Sequence, residues 1–386
     1  MSIGSRPRVV IVRPPVLHEA AKEGHRHSTW SELYYDLAFV AAIGILAQDL
    51  GAAFNPGGLL TFVALFVPLT WAWAGFTVYN DRFDTPDLFH RALTFVQVLG
   101  VATLALSVHQ GTTAYAAAYV PLRLLLVWQY RRAGAANPES AALCRHYARG
   151  FSLGAACWLA SCLAPDWLRY PLWACAMLVD LATPPLGRKL QVMTPLSPSH
   201  AVERFSLFTI ILVGLTVAEL INGAMGRPVT PGLMLAGTAG LAFTYALWWL
   251  YYDNLEGGSL RDPRRAGQVW VFAHLMLSLG ITTMGVSAGH LVAAPLASTP
   301  ERLAFGVAVA TCFLALAALH GIVHCRDARF KAWSRLAAAL LVLPLALVPL
   351  PSAFVLAAAA ALALAQLGVE LRRFGWVGED FMDGGV

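Results

Sequence analysis

The feature that most constrains this chain is a series of apolar segments, each long enough or nearly long enough to cross a lipid bilayer. A transmembrane helix needs about 20 mainly apolar residues. Twelve such runs follow one another, at about residues 30–50, 58–79, 88–109, 112–131, 148–165, 167–185, 198–222, 230–252, 268–289, 302–324, 333–349 and 352–371. Because only helices and closed barrels satisfy their own backbone groups in hydrocarbon, the sequence predicts an all-α polytopic bundle of about 12 spans.

The composition agrees with a membrane protein and excludes three other classes. Hydrophobic residues make up 58% of the chain, charged residues make up 13%, and the mean hydropathy is +0.61. A soluble domain carries about 25% charged residues, and a disordered chain combines low hydrophobicity with high charge. Six cysteines in 386 residues are too sparse for a disulfide scaffold. We therefore expect neither a soluble enzyme, nor a disordered chain, nor a disulfide-stabilised domain.

The positions of the basic residues predict how the spans are oriented, because cytoplasmic loops carry an excess of Lys and Arg. With the amino terminus inside and twelve alternating spans, all but four of the 27 Lys and Arg residues fall on the cytoplasmic side. The exceptions are Arg169, Arg227 and Arg302 outside and Arg123 within a span. We expect both termini in the cytoplasm, in a multi-pass protein of the inner membrane. The net charge of +5 then needs no nucleic-acid partner, since topology and anionic lipids account for it.

The first motif, TWSELYYDLAFV at residues 29–40, starts the first span. Thr29 and Glu32 have the spacing of a capping box, in which each side chain satisfies a backbone amide at the helix start. Asp36 lies one turn further along the same helical face. An ionised carboxylate at that depth costs a few kcal/mol unless it has a partner or faces a wet cavity. Asp36 is therefore either an ion site or one half of an ion pair with an arginine.

The second motif, YNDRFDTPD at residues 79–87, joins the second and third spans. Thr85, Pro86 and Asp87 predict a helix start, with Thr85 as N-cap and Asp87 in the first turn. Asp81 lies at the carboxyl end of a helix, where the macrodipole disfavours an anion. We therefore expect a compensating charge, and Arg82 or Arg91 is the nearest candidate in the sequence. Asp84 belongs either to the turn or to the same site.

The third motif, HAVERFSLFTIILVG at residues 200–214, follows a second cap-and-proline pair, Ser197-Pro198. It places His200 in the first turn, and Glu203 and Arg204 in the second. Neighbouring positions on a helix face different directions, so Glu203 and Arg204 should have different partners.

Two further polar residues lie in the next two spans. Asp253, at the end of WWLYYD, repeats the anion at a helix end. His274 lies two turns into the following helix.

The spacing of these residues indicates an internal duplication. About 50 residues separate Glu32 from Asp81, and about 50 separate Glu203 from Asp253. We predict a cytoplasmic tail at 1–28, a first six-helix half at 29–190, a second half at 191–372 and a cytoplasmic tail at 373–386. Parallel repeats of this kind are used by transporters. Helices one to three of each half would then converge on a polar cavity facing the cytoplasm.

Together, these motifs resemble the bacterial low temperature requirement A (LtrA) family of integral membrane proteins over roughly residues 25–375. The first motif is similar to the family pattern E-L-F-F-D-L-V-F-V, with Glu32 and Asp36 in place. One position departs: Leu215 follows Gly214 where the family usually has Glu, and an acid returns one turn later at Glu219. The resemblance implies a multi-pass helical fold. It implies no defined activity.

Two classes of function are compatible with these residues. The first is a permease or channel for a cation, a proton or a small solute, since ionisable residues inside spans mark ion pathways. Its ion or substrate site would be drawn from Glu32, Asp36, Asp81, Arg82, Asp84, His200, Glu203, Arg204, Asp253 and His274. The alternative is a membrane-embedded acid–base enzyme acting on a lipid or another hydrophobic substrate. Its catalytic groups would be Asp36, Glu203, Asp253 and His274.

The sequence says less about cofactors and partners. No spacing typical of metal ligands occurs, so we expect no metal site, and no motif identifies a cofactor. The expected partners are the lipid bilayer and a small ion or hydrophobic small molecule. The sequence leaves open whether the protein forms a homo-oligomer and whether it acts in envelope sensing or assembly.

Overall fold

The structure, a computed structural model, describes residues 11–18, 28–84, 87–255, 263–323 and 327–374. Within these ranges the chain forms thirteen α-helices and one pair of two-residue strands. Strand β1 (Val16–Leu17) pairs antiparallel with β2 (Phe83–Asp84). The helices are α1 Trp30–Ala52, α2 Pro56–Arg82, α3 Leu88–Ser107, α4 Thr112–Ala136, α5 Ala141–Leu163, α6 Asp166–Leu186, α7 Arg188–Gln191, α8 Pro198–Ala224, α9 Pro231–Leu255, α10 Pro263–Ala293, α11 Thr299–Ile322, α12 Ala328–Leu347 and α13 Ser352–Phe374.

Every predicted apolar run coincides with one of the long helices, and this confirms the all-α bundle. In the described part of the chain, nine helices are long and apolar enough to cross a membrane. The three other long helices, α4, α5 and α6, do not belong to this set of nine, and two of them contain a charged residue near their middle, Arg123 on α4 and Asp180 on α6. The full count of twelve crossings therefore stays a prediction, as do the repeat and the side on which the termini lie.

Helix starts follow the predicted cap chemistry, with one correction. Ser197 caps α8, and its hydroxyl accepts a hydrogen bond from the His200 amide at 3.4 Å. The prediction that Thr85 caps the third span is wrong, because Asp87 is itself the N-cap of α3 and accepts from the His90 amide at 2.7 Å. Thr85 lies outside the described residues. A carboxylate directly before the helix supplies the acceptor for a first-turn amide that a threonine two residues earlier was expected to supply.

The chain divides into two compact units that follow other boundaries than the predicted six-helix halves. The first unit comprises the described part of Met1–Ile43 together with Pro68–Arg204 and Pro263–Gln268. The second comprises Gly44–Val67 and the described parts of Phe205–Asp262 and Val269–Val386. The division at 190/191 into two halves stays a prediction.

In the first unit, α4, α5 and α6 pack side by side. Gly150 and Gly154, one turn apart on α5, face α6, where a Cβ at Gly154 would lie 2.4 Å from Asp180 Oδ1. Small residues with this spacing let membrane helices approach closely. Because α5 and α6 approach closely, Asp180 is fully buried.

In the second unit, α8 and α10 cross at backbone contact. A Cβ at Gly223 would lie 2.2 Å from the carbonyl oxygen of Gly289, and a Cβ at Gly289 would lie 2.7 Å from the carbonyl oxygen of Glu219. Gly285 and Gly289 form a G-x-x-x-G pair on the contact face of α10. Because lipid offers no hydrophobic drive for helix association, such backbone contact is a main source of packing energy in membranes.

Candidate functional site

A buried set of polar side chains, which we call the polar ladder, joins α1, α2 and α8 within the first unit. Each helix contributes positions that share one face because they lie one or two turns apart. The members are Glu32 and Asp36 on α1, Trp73 and Asp81 on α2, and His200 and Arg204 on α8. The convergence of helices one to three of each half on a polar cavity facing the cytoplasm stays a prediction. In the ladder, the helix that joins α1 and α2 is α8, the seventh predicted span.

The inner tier of the ladder is centred on Asp36. Its Oδ1 atom accepts two hydrogen bonds of 2.7 Å, one from Arg204 Nη2 and one from the indole nitrogen of Trp73. All three side chains are buried, and Asp36 is 0% exposed. Of the two interpretations left open for Asp36, this geometry satisfies the arginine ion pair and adds an indole donor.

The end tier lies one turn closer to the helix ends and is centred on His200. Its Nδ1 atom lies 3.0 Å from Asp81 Oδ1, and its Nε2 atom lies 3.4 Å from Glu32 Oε1. Only the imidazolium form can donate from both ring nitrogens. His200 therefore sits between two carboxylates: Nδ1 is hydrogen-bonded to Asp81, whereas Nε2 lies within ion-pair distance of Glu32 without forming a hydrogen bond.

The two carboxylates of the end tier are also bound by helix starts. Glu32 completes the predicted capping box, because its Oε2 accepts from the Thr29 amide at 2.8 Å while Thr29 Oγ1 accepts from the Glu32 amide at 3.3 Å. Asp81 Oδ2 accepts from the Ser197 amide at 2.8 Å. The anion at the carboxyl end of α2 is thus compensated by the amino terminus of α8, where the dipole favours negative charge.

Several buried atoms around the inner tier have no hydrogen-bond partner among the described residues. They are Oδ2 of Asp36, Nε and Nη1 of Arg204, and the hydroxyls of Tyr35 and Thr77. Nearly all buried polar groups in proteins are paired with protein or water. Water or a small solute at these atoms would therefore gain hydrogen bonds.

The other predicted site residues lie apart from the ladder or outside the described side chains. Arg82 is buried, donates to the Thr194 carbonyl at 3.1 Å and lies over the Tyr147 ring. Among the described residues, Asp81 is hydrogen-bonded to His200 and to the Ser197 amide and not to Arg82. Glu203 accepts from the Ser28 amide at 3.1 Å. This confirms that Glu203 and Arg204 have different partners. The side chains of Asp84 and Asp253 lie outside the described part of the structure.

His274 belongs to a separate hydrogen-bonded group in the second unit. Its Nδ1 faces the Trp270 carbonyl at 2.8 Å and its Nε2 faces the Tyr251 hydroxyl at 2.8 Å. Because a carbonyl can only accept, Nδ1 carries the proton and Tyr251 donates to Nε2. The Tyr251 oxygen can then accept from Ser206 Oγ, 3.2 Å away. This arrangement satisfies the ring as a neutral packing residue.

A second buried ion pair includes a residue that the sequence reasoning missed. Arg123 donates to Asp180 at 2.9 Å, and both side chains are at most 1% exposed. The guanidinium carbon lies 4.4 Å from the centre of the Phe151 ring. Arg123 is therefore a buried counter-ion and does not extend to the membrane surface. The sequence contains one indication of this pair: an acidic residue at the centre of a span, here Asp180, requires a cation at a similar depth in the membrane.

We expect Trp73→Phe to lower the free energy of unfolding by about 1.5–3 kcal/mol, because it removes a hydrogen bond to a charged group. The matched control is Trp158→Phe. Trp158 is also fully buried in the first unit, but its indole nitrogen has no hydrogen-bond partner among the described residues. Both variants would be unfolded by denaturant in mixed micelles. Equal losses would show that the Trp73–Asp36 bond contributes nothing.

Comparison with known proteins identifies one family. The profile of the bacterial low temperature requirement A protein (LtrA) family matches residues 27–369, which include every member of the ladder. The uncharacterized protein RA0937 of Rhizobium meliloti (strain 1021) is 23% identical over 291 residues, covering 69% of this chain and 70% of the relative. No solved structure matches this chain. The departure at Leu215 and the nearby Glu219 both lie on the part of α8 that belongs to the second unit, so neither is a ladder member.

Proposed function

The chain belongs to the bacterial low temperature requirement A family of multi-pass membrane proteins, and from that premise we propose that it is a permease. In this proposal the polar ladder binds the transported or coupling cation, and the proton is the cation that its chemistry suits best. The observation that carries the proposal is His200, which lies between the carboxylates of Glu32 and Asp81.

The cost of burying these charges supports a functional role. The effective penalty for burying an ion is several kcal/mol, and a well-packed apolar group of similar volume often stabilises a protein as well as an ion pair does. The ladder nevertheless holds three carboxylates and a guanidinium, all at most 7% exposed. Packing alone does not require this arrangement, whereas ion binding does.

In this proposal the imidazole of His200 transfers a proton between the carboxylates of Glu32 and Asp81. An imidazole can take a proton at one ring nitrogen and release it from the other. A proton that reaches Glu32, at the helix end, can therefore pass through His200 to Asp81 once Nε2 and the Glu32 carboxylate align. We propose that the end tier receives the proton on the side that the distribution of basic residues predicts to be cytoplasmic. Water bound at the unpartnered atoms of the inner tier would then carry the proton on to Asp36.

In this proposal the inner tier couples proton binding to a movement of the helices. A proton on Asp36 removes the negative charge that pairs with Arg204. An unpaired buried guanidinium is costly, so Arg204 must then find another anion or move toward water. Protonation of Asp36 is in this way linked to a rearrangement of α8 against α1, which is what a coupled permease needs.

The test uses purified protein in liposomes that contain a pH-sensitive dye. With an imposed proton or potassium gradient, the wild type should collapse the gradient, and Asp36→Asn should reduce the rate to below about a tenth of wild type because the titrating group is gone. The matched control is Asp166→Asn, the same substitution at a carboxylate that is 89% exposed; it should keep most of the activity.

A folded wild type that leaves both gradients intact would contradict the proton and potassium form of this proposal. The acid–base enzyme would then become the better hypothesis, and lipid extracts incubated with the protein should contain a changed species. Equal rates for Asp36→Asn and Asp166→Asn would show that the pathway does not pass through the ladder.

A further inference from the structure

A basic groove lies between α4 and α5 of the first unit, close to the turn that joins them. Its volume is about 370 Å³. Three arginines line it: Arg131 near the end of α4, and Arg145 and Arg149, one turn apart, near the start of α5. We propose that this groove binds the phosphate of an anionic phospholipid headgroup. This inference is independent of the permease proposal.

The charge of the groove favours an anion. No carboxylate lines it, and among the described residues none of the three arginines forms an ion pair or a hydrogen bond. The remaining lining is neutral and includes Tyr130 and Cys144. Guanidinium groups bind phosphate oxygens through paired, planar donors, and several of them around one pocket suit a phosphate better than scattered lysines do.

The surface next to the groove favours a lipid over a free anion. On α4, Leu124 and Trp128 are exposed on the same face as Arg131, toward the middle of the helix. On α5, Leu153 continues the face of Arg145 and Arg149 and is 56% exposed. Each helix thus has arginine near the turn and apolar side chains beyond it. This order matches a phospholipid, whose headgroup lies at the interface and whose acyl chains extend into the core.

The predicted topology gives the groove the right leaflet. All three arginines fall on the side that the distribution of Lys and Arg assigns to the cytoplasm. Basic pockets between spans on that side bind anionic headgroups. The groove therefore faces the leaflet in which phosphatidylglycerol or cardiolipin would be present as the anionic partner.

The experiment measures lipid binding to the delipidated full-length protein in neutral detergent by native mass spectrometry. Wild type should bind phosphatidylglycerol and cardiolipin more tightly than phosphatidylcholine of the same acyl chains. In Arg145→Gln/Arg149→Gln the preference should fall by about 25-fold, roughly fivefold for each arginine. Arg188→Gln/Lys189→Gln is the control, because it removes two exposed basic residues that do not line the groove. It should keep the wild-type preference.

Three outcomes would overturn the proposal. The first is an unchanged preference in the double variant, and the second is an equal loss in the control. The third is inorganic phosphate alone binding as tightly as the lipid, since the groove would then belong to a free anion. If the double variant does not fold, the single variant Arg149→Gln replaces it, and its preference for anionic lipid should fall about fivefold.

Discussion

Arg204→Leu should lower the free energy of unfolding by about 3–5 kcal/mol, because it leaves the carboxylate of Asp36 buried without its cation. Asp36→Leu should lower the free energy of unfolding by a similar amount, because it leaves the guanidinium of Arg204 buried without its anion. The double variant Asp36→Leu/Arg204→Leu should recover most of the loss, since two apolar side chains replace a buried ion pair at little net cost. Unfolding free energies in mixed micelles would give the coupling energy of the pair.

The double variant also separates stability from function. If the ladder is the ion site, Asp36→Leu/Arg204→Leu should be folded and inactive in the liposome assay. Additive losses without recovery would contradict a direct coupling between the two side chains. As a surface control, Asp166→Ala should cost less than about 1 kcal/mol, because its pairing with Arg169 is exposed to solvent and screened.

Gly223→Ala should have the second large effect, a destabilisation of about 1–3 kcal/mol. The new methyl group would lie 2.2 Å from the carbonyl oxygen of Gly289, so α8 and α10 must separate. Overpacking of this kind costs about 1–3 kcal/mol. The loss occurs although alanine is the better helix former. Thermal and denaturant unfolding of the purified protein would measure it.

Gly214→Ala is the matched control for this prediction. Gly214 lies on the same helix and is exposed, and a Cβ at that position has nothing within 4 Å. The substitution should be neutral or stabilise the protein by up to about 1 kcal/mol through helix propensity. If both alanine variants behaved alike, close contact between α8 and α10 would not be a source of stability.

The sequence predicted the individual helices well because a membrane helix is a local structure. Each helix satisfies its own backbone hydrogen bonds within one segment, so the length of an apolar run indicates its position. The same locality explains the caps. Thr29 with Glu32, and Ser197 with His200, are only three residues apart, and both caps form as predicted.

The site was predicted in part. Asp36, Asp81, His200 and Arg204 were recognised as costly polar residues near helix ends, and each is a ladder member. Their partners were not predicted, because apolar segments carry little amphipathic pattern that would show which helices become neighbours. Asp180 was missed for the same reason: its role depends on Arg123, which lies on another helix 57 residues away.

By itself, the chain of residues determined a multi-pass helical membrane protein, the positions of its helices and the costly polar groups within them. These follow from interactions over a few residues and from the transfer of each segment into lipid. Only the packing of the helices decided that Asp36 meets Arg204, 168 residues away, and that His200 lies between Glu32 and Asp81. The physical reason is that a buried charge is stabilised by an opposite charge at the same depth on a neighbouring helix. Which helices become neighbours depends on how their surfaces fit together.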